Sequence, residues 1–288
     1  TGFYEHSVWR DKIFQAGREG DGTMNKTELL DKYARDGESR LLLARVLDQH
    51  QRADQRGIPT HTAFLSPAEQ AMSADLLMAA APGQGVLHGG YADAERKLWG
   101  FLPDWLDEDL WLAGEDCPLA ALEVRVPKGA KLTHRDYLGS LMGLGITREK
   151  IGDILIGETG AQVIVLRETL PILLAQWEKA GRYPVTLTPL PLDQLTPTPG
   201  ETKEVRATVA SVRLDAVVSA GFSIPRSRAA DLIRGGRVMV NHRPCEKADK
   251  VVEAGDVLTC RGLGKCVLTE IGGTSKRGRT ILTLQRYL

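Results

Sequence analysis

The sequence is poor in cysteine and has no long apolar run. None of the four cysteines belongs to a C-x-x-C pair, which excludes a zinc ribbon and a disulfide framework. We expect neither a metal nor another cofactor. No run of about 18 apolar residues predicts a transmembrane helix, and the first residues lack the basic-then-apolar order of a signal peptide. These absences predict a reduced, cytoplasmic protein without a membrane partner.

The chain also lacks net charge, because 37 Lys and Arg balance 37 Asp and Glu. That balance excludes a uniformly basic nucleic-acid protein and a uniformly acidic, disordered one. The charge is nevertheless unevenly distributed. Residues 205–288 contain 15 basic and 7 acidic side chains, a net charge of +8, and the preceding residues carry a net charge of −8. A basic domain of this size is typical of a phosphate-backbone binder.

The first part of the chain, residues 1–81, is predicted to be mostly helical. Apolar residues recur at three- and four-residue steps from Met24 to about Gln55, where Thr27 and Ser39 are candidate N-caps. Ser66 followed by Pro67 predicts the start of another helix that ends near Pro82.

Strand and helix patterns alternate over residues 82–190, which predicts a central α/β domain. Strands are expected at 85–90, 121–126, 154–156, 161–166 and 185–188, and helices at 92–98, at 133–142 and at 168–180 with Gly181 at the C′ position. The whole chain is therefore assigned to the α+β class.

A stretch rich in proline and threonine follows. Pro189, Pro191, Pro197 and Pro199 predict a semi-extended segment that forms neither a sheet ladder nor a helix. We therefore assign residues 191–204 as a linker and residues 205–288 as the last domain.

The basic domain begins with two predicted helices. Arg213-Leu214-Asp215 opens the first, and the second runs from Arg226 to Gly235-Gly236. Strands at 237–241 and 257–262 and a terminal hairpin of 267–271 with 280–284 complete the pattern. Asp215, in the first helical turn, is interpreted as a helix-dipole or ion-pair residue.

This series, R-L-D, S-R-x-x-A-x-x-L-I, G-x-V-x-V-N and V-x-x-G-D, resembles the RNA-binding domain named after small-subunit ribosomal protein S-four. The resemblance implies two helices packed on a small sheet, with basic side chains facing folded RNA. By motif position it makes Arg213 and Arg226 the strongest RNA contacts, and Pro225 and His242 depart from the usual residues. The weaker candidates are Arg228, Arg234, Arg237, Asn241 and Arg243, with Lys276 and Arg277 in the hairpin loop.

Motifs outside this domain narrow the resemblance further. They are Phe64–Pro67, His88–Tyr91 with Ala94–Arg96, His134–Gly139 and Gly143–Ile154. Together they resemble the YlmH family of bacteria, also found in cyanobacteria as a photosystem II S-four protein. The resemblance implies a central domain similar to an RNA-recognition motif, which is ferredoxin-like. It also implies binding to the large ribosomal subunit with peptidyl-tRNA and rescue of stalled translation. We expect the protein to be a monomer. A link to cell division is attached to the same family.

Two other classes of function stay open at this point. An RNA pseudouridine synthase or methyltransferase can carry an S-four domain, although usually before its catalytic domain. An assembly or cell-division scaffold would use the acidic segment from Asp104 to Asp109, around Trp105, as a docking surface. His134-Arg135-Asp136 copies a kinase triplet, but Leu141 stands where a kinase has Asn. We expect a non-catalytic RNA-binding protein.

Overall fold

The structure, a computed structural model, describes residues 25–197, 200–275 and 277–287. The chain divides into two compact units, and the boundary between them lies between residues 198 and 199 of the sequence. Within the described residues, no helix is both long and apolar enough to span a bilayer.

Three helices begin the first unit: α1 (Lys26–Tyr33), α2 (Gly37–Arg56) and α3 (Pro67–Ala80). The prediction of α3 with Ser66 as its N-cap is confirmed. The predicted caps Thr27 and Ser39 are wrong, because the caps are Asn25 and Asp36. Ser39 instead completes a capping box, in which its hydroxyl accepts a hydrogen bond from Asp36 N at 3.0 Å.

A small antiparallel sheet follows, with strand order β1-β3-β2. It consists of β1 (Thr60–His61), β2 (Val86–His88) and β3 (Leu98–Phe101). The helix expected at 92–98 is wrong. The N–H groups of Glu95 and Arg96 donate to the Asp153 carboxylate at 2.7 and 3.0 Å, and Lys97 pairs with Leu65. These long-range bonds occupy donors that a helix would need.

The next part of the first unit is a ferredoxin-like β-α-β-β-α-β domain, as the family resemblance implies. After the short helix α4 (Glu108–Ala113) come β4 (Leu119–Arg125), α5 (His134–Gly143), β5 (Ile151–Ile156), β6 (Gly160–Leu166), α6 (Leu170–Gln176) and β9 (Thr186–Leu190). The antiparallel sheet has the order β5-β6-β4-β9, in which the two central strands are the first and third of the domain.

The helix expected at 168–180 is shorter than predicted. After α6 the chain forms a small hairpin of β7 (Lys179–Ala180) and β8 (Tyr183–Pro184), and Gly181, at φ +56°, lies in its turn. The buried Trp177 ends the helix, and its indole N–H donates to Ser140 Oγ and to the Lys179 carbonyl, both at 3.0 Å.

Both faces of the central strands are covered. Alternate residues of β4 and β6, such as Leu122 and Val163, pack against Tyr137 and Leu141 of α5. On the opposite face, Leu119, Ile164 and Leu166 pack against the buried Phe64, Leu98 and Trp111. An RNA-recognition motif stacks bases on aromatic residues of such a face. Here β4 and β6 contain no aromatic residue, and the face is occupied by the protein's own core.

The proline-rich segment contains more regular structure than predicted. Pro189 lies within β9 and pairs with Leu122, and residues 192–194 form a 3-10 turn. Thr196 then donates its N–H to Gln162 Oε1 at 2.8 Å. The expectation of a segment without ladder or helix is therefore wrong. Pro189 is tolerated because β9 is an edge strand, where an N–H is dispensable.

The second unit is a six-stranded antiparallel sheet with two helices, α7 (Leu214–Phe222) and α8 (Arg226–Arg234). Its strand order is β10-β15-β14-β13-β11-β12. The strands are β10 (Thr202–Val209), β11 (Val238–Val240), β12 (Arg243–Pro244), β13 (Val257–Cys260), β14 (Gly264–Thr274) and β15 (Thr280–Tyr287). Both helices and the terminal hairpin confirm the prediction.

Two strands of this unit have no counterpart in the sequence-based prediction. Strand β10 begins at Thr202, inside the segment assigned as a linker, and β12 pairs with β11 across a two-residue turn. The strand expected at 257–262 ends at Cys260, because the chain turns at Gly262, whose φ is +88°. Leu214, Val217, Val218 and Phe222 of α7 pack in the unit's core, together with Leu268 and Leu284 of the sheet.

Gly160, the first residue of β6, gives a test of this packing. A Cβ there would lie 1.9 Å from the Val124 carbonyl oxygen, at a φ of +153°. We expect Gly160→Ala to lower the free energy of unfolding of the first unit by about 3 kcal/mol, because a backbone atom cannot move aside cheaply. Urea unfolding followed by tryptophan fluorescence measures it, since all five tryptophans lie before residue 199.

The matched control is Gly139→Ala on α5, where a Cβ would meet nothing within 4 Å. There alanine should stabilise the unit by about 0.5–1 kcal/mol, because it raises helix propensity. Equal midpoints for the two variants would contradict the described close approach of β6 to β4.

Candidate nucleic-acid interface

Two arginines of the second unit share one carboxylate. Arg226 binds both carboxylate oxygens of Asp215 through one edge of its guanidinium group, with Nε 2.9 Å from Oδ2 and Nη2 3.2 Å from Oδ1. Arg213 Nε lies 3.7 Å from Asp215 Oδ1. We call Arg213 and Arg226 the arginine pair. The two residues that the S-four resemblance makes strongest are thus brought together, and Asp215 is an ion-pair residue, as predicted.

The backbone holds these three residues in place. Arg213 is the N-cap of α7, and the loop before β13 runs alongside this helix start. There the N–H groups of Leu214 and Asp215 donate to the carbonyls of Lys250 and Ala248 at 2.8 and 3.0 Å. Arg226 is the first residue of α8, after the cap residue Pro225. The N–H groups of both Leu214 and Asp215 are thus satisfied inside the unit and are not available to a ligand.

The arginine pair combines a buried anchor with exposed guanidinium groups. The Asp215 side chain is 10% exposed, whereas those of Arg213 and Arg226 are 42% and 52% exposed. Hydrogen bonds and charge from Asp215 raise the pKa of Arg226. Arg213 Nε is buried without a hydrogen-bond partner among the described residues. Two cations on one carboxylate leave a net positive charge and outward N–H donors, which suit phosphate oxygens.

The other predicted arginines on α8 and just before β11 have different surroundings. Burial raises the pKa of the Cys260 thiol, and the charges of Arg237 and Arg228 act to lower it. Both charges therefore lie near that side chain. Arg237 also donates to the Arg261 carbonyl at 3.0 Å. Arg234 forms an exposed ion pair with Asp231 at 3.2 Å. These three arginines are exposed on the surface.

Asn241 and His242 form the turn between β11 and β12. Their φ values of +50° and +64° are those of a type I′ turn, so the departure from Asn-Gly leaves the turn intact. The Asn241 amide donates to Asp256 Oδ1 at 2.7 Å and accepts from Val257 N at 2.9 Å. Asn241 therefore supports the fold of the turn. Arg243, the first residue of β12, is partly buried.

The terminal hairpin contributes further basic groups. Its loop is shorter than predicted, because β14 extends to Thr274. Lys276 lies outside the described residues, and Arg277 is exposed. Arg279 donates to the Thr208 carbonyl at 2.7 Å.

Two cations that the motif does not contain lie on aromatic rings of this unit. Lys265 Nζ is 4.1 Å from the centre of the Tyr287 ring, and the Arg286 guanidinium is 5.7 Å from that of Phe222. Arg286 and Lys265 belong to no motif or periodic pattern of the sequence, so the sequence alone does not predict them as part of the site.

The kinase-like triplet His134-Arg135-Asp136 of the first unit has a structural role. Asp136 completes a capping box at the start of α5, where it accepts from Thr133 N and Thr133 Oγ1, both at 2.7 Å. These bonds lower the pKa of Asp136. Among the described residues, no group of three His, Cys, Asp or Glu could hold a metal ion.

A substitution at Asn241 separates its side-chain bonds from its backbone conformation. Asn241→Gly keeps the positive φ but removes both hydrogen bonds, and it should lower the local stability of β11 and β13 by about 1–3 kcal/mol. Ser223→Gly is the control, because Ser223 also has a positive φ, of 54°. It should stabilise its helix end by about 0.5–1 kcal/mol. Hydrogen exchange measures Asn241→Gly in the β11–β13 peptides and Ser223→Gly in the peptide that ends α7. Faster exchange of the β11–β13 peptides in both variants would contradict the described turn.

Comparisons with known proteins agree with the motifs. Residues 38–100 match "YlmH, N-terminal", residues 113–194 match "Putative RNA-binding domain in YlmH", and residues 212–258 match the S4 (S-four) domain. The chain is 36% identical over 231 residues to "Ribosome-associated protein quality control protein P2" of Bacillus subtilis. That alignment covers 78% of this chain and 86% of the relative.

A solved structure, "Cell division protein ylmH from Streptococcus pneumoniae", matches with a TM-score of 0.45 and 24% identity. The match covers 56% of this chain and 96% of that one. The family matches and the Bacillus subtilis relative together carry the assignment. The chain belongs to the YlmH family, with a putative RNA-binding domain followed by an S-four domain.

Proposed function

We propose that this protein binds structured ribosomal RNA or tRNA on the large ribosomal subunit, beside peptidyl-tRNA, in ribosome-associated quality control. We further propose that it acts in the cytoplasm as a monomer, without catalysis and without a cofactor. The name of the Bacillus subtilis relative supports the ribosomal setting. The matches to two RNA-binding domains support the RNA partner.

The arginine pair is the observation that carries this proposal. A planar guanidinium bonds a phosphate in two places, and its geometry is useful only if the side chain is held still. Asp215 holds both arginines at one point of the surface. The surrounding domain carries a net charge of +8, so the field there attracts a polyanion.

Around the arginine pair we propose a wider contact surface. Its weaker members are Arg228, Arg234, Arg237, Asn241, Arg243, Lys276 and Arg277. The acidic first unit should be repelled by phosphate over most of its surface, which favours the second unit as the main RNA-binding part. We also propose that the chain has four parts, residues 1–81, 82–190, 191–204 and 205–288.

The direct test replaces the arginine pair. We expect Arg213→Ala with Arg226→Ala to reduce co-sedimentation of the full chain with purified large ribosomal subunits by at least tenfold at about 100 mM salt, because two fixed phosphate contacts are lost. The control is Arg206→Ala with Arg261→Ala, which removes the same charge from exposed positions of the same unit. If the pair variant sediments like the wild type, the site is wrong. Pseudouridine or methyl incorporation above background would contradict the absence of catalysis.

Asp215→Asn separates orientation from charge. If attraction alone mattered, removing a negative charge from the basic unit would strengthen RNA binding. We expect the opposite, a loss of about three- to tenfold in affinity, because the arginine pair would have to be immobilised on binding. Asp231→Asn is the matched control, since among the described residues Asp231 forms an ion pair with Arg234 alone, at the exposed surface. It should leave affinity unchanged or slightly raised. Filter binding of large ribosomal subunits measures both, and tighter binding by Asp215→Asn would contradict the orienting role.

A further inference from the structure

Two arginines of the first unit meet at one carbonyl oxygen. Arg96 lies in the loop before β3, and Arg148 lies in the 3-10 turn that precedes β5. Arg96 Nε and Arg148 Nη1 both donate to the Ile151 carbonyl, at 3.0 and 2.6 Å. A shared acceptor brings two cations side by side, an arrangement that mutual repulsion disfavours.

Backbone carbonyls, and not carboxylates, hold this Arg96–Arg148 cluster in place. Arg96 Nη2 donates to the carbonyls of Phe64 and Arg148 at 3.0 and 3.3 Å. Arg148 Nη1 also reaches the Gly152 carbonyl at 3.3 Å. Both side chains are thereby fixed by the fold, while their charge is not neutralised by these neutral acceptors.

The nearby carboxylates are engaged elsewhere. Asp153 accepts from Tyr91 Oη at 2.8 Å and from the N–H groups of Glu95 and Arg96. Glu69 Oε2 accepts from Ser66 N and Oγ, at 2.6 and 2.7 Å. Among the described residues, no carboxylate lies within 4.0 Å of a side-chain nitrogen of Arg96 or Arg148. Two half-buried cations therefore lack a direct counter-ion, which is unusual for buried charge.

The pKa shifts agree with this shortage of negative charge. Burial lowers the pKa of Arg96, and burial together with the charge of Arg96 lowers the pKa of Arg148 to about 10. Asp153 and Glu95 act in the opposite direction without restoring the ordinary value. Burial and Arg148 also lower the pKa of His134, the first residue of α5. An anion placed here would reverse these shifts.

The cluster still has N–H groups to offer. Arg96 and Arg148 are only partly buried. Among the described residues, the buried side-chain nitrogens without a partner are Arg213 Nε and Arg286 Nε, so no nitrogen of Arg96 or Arg148 is both buried and unpaired. The remaining guanidinium edges of the cluster therefore reach solvent. Two fixed guanidinium groups with free edges match the oxygens of one phosphate group.

We propose that Arg96 and Arg148 form a second phosphate-binding site, which holds a backbone phosphate of the RNA bound by the second unit. The inference rests on the proposed function, because it takes RNA as the source of the phosphate. It gives the first unit an RNA contact that does not use the sheet face covered by its own core. Arg96 fixes the loop before β3, and Arg148, with fewer structural bonds, is the residue to vary.

The experiment measures binding of the full chain to purified large ribosomal subunits over a range of salt concentrations. Arg148→Gln should lower affinity by about three- to tenfold and make the slope of log K against log salt shallower by about 0.7–0.9, the effect of one lost phosphate contact. Arg167→Gln is the matched control. Arg167 is also an arginine of the first unit that donates to a carbonyl, that of Cys117 at 2.7 Å, but no described arginine shares that acceptor. It should change neither quantity.

Folding is checked by the tryptophan fluorescence unfolding curve. If Arg148→Gln is unfolded, Arg148→Lys replaces it, since lysine keeps the charge but loses the fork. Arg148→Lys should then lower affinity without the change in salt slope. Unchanged affinity and slope in the folded variant overturn the inference. A loss equal to that of Arg167→Gln overturns it too.

Two further arms separate the sources and the sites. In the first arm, inorganic phosphate is titrated onto the full chain. If the effect of phosphate depends on Arg148 but binding to the subunit does not, the site holds a free phosphate, and the RNA assignment is overturned. Combining Arg148→Gln with the Arg213 and Arg226 substitutions should give additive losses in log affinity. If only the Arg148 variant loses binding, the proposed role of the arginine pair fails while the second site stands. If only the arginine-pair variant loses it, the reverse holds.

Discussion

The carboxylate of Asp215 is the contact on which the proposed RNA interface of the second unit depends. It is nearly buried, it binds Arg226 through two hydrogen bonds, and it lies 3.7 Å from Arg213 Nε. One anion thus connects the start of α7 to the start of α8, because it fixes Arg226 by two hydrogen bonds and attracts Arg213. Without it, two long side chains would be free to rotate, and each would lose conformational entropy on binding a phosphate.

The charge of the chain is distributed unevenly between its two ends. A neutral total conceals a net charge of +8 in residues 205–288 and of −8 in the residues before them. The ferredoxin-like domain of the acidic part covers with its own core the sheet face that an RNA-recognition motif exposes. Its fold alone therefore does not provide that mode of binding. In both units, arginines that the backbone or a buried carboxylate holds still are the groups best suited to phosphate.

The sequence predicted most of the local structure and the arginine pair. Helices α7 and α8 follow from apolar spacing bounded by Gly and Pro, and the S-four resemblance identified Arg213 and Arg226. The alternating periods predicted the last six elements of the central domain, but they also predicted a helix at 92–98 that does not form. The failures involve long-range contacts. Loop 92–97 is not helical because Asp153, more than 50 residues away, accepts its N–H groups. Strand β10 forms because β15, at the opposite end of the domain, pairs with it.

The Arg96–Arg148 cluster shows the same limit at the level of a site. Both arginines lie in motifs that the sequence displays, yet only the fold places them on the Ile151 carbonyl. The role of RNA in the whole arrangement is tested most directly by ultraviolet cross-linking of the full chain to purified large ribosomal subunits, with the cross-linked peptides identified by mass spectrometry. RNA adducts should be concentrated in the peptides that contain Arg213 and Arg226. Adducts that leave residues 205–288 free would contradict the assignment of the second unit as the main RNA-binding part.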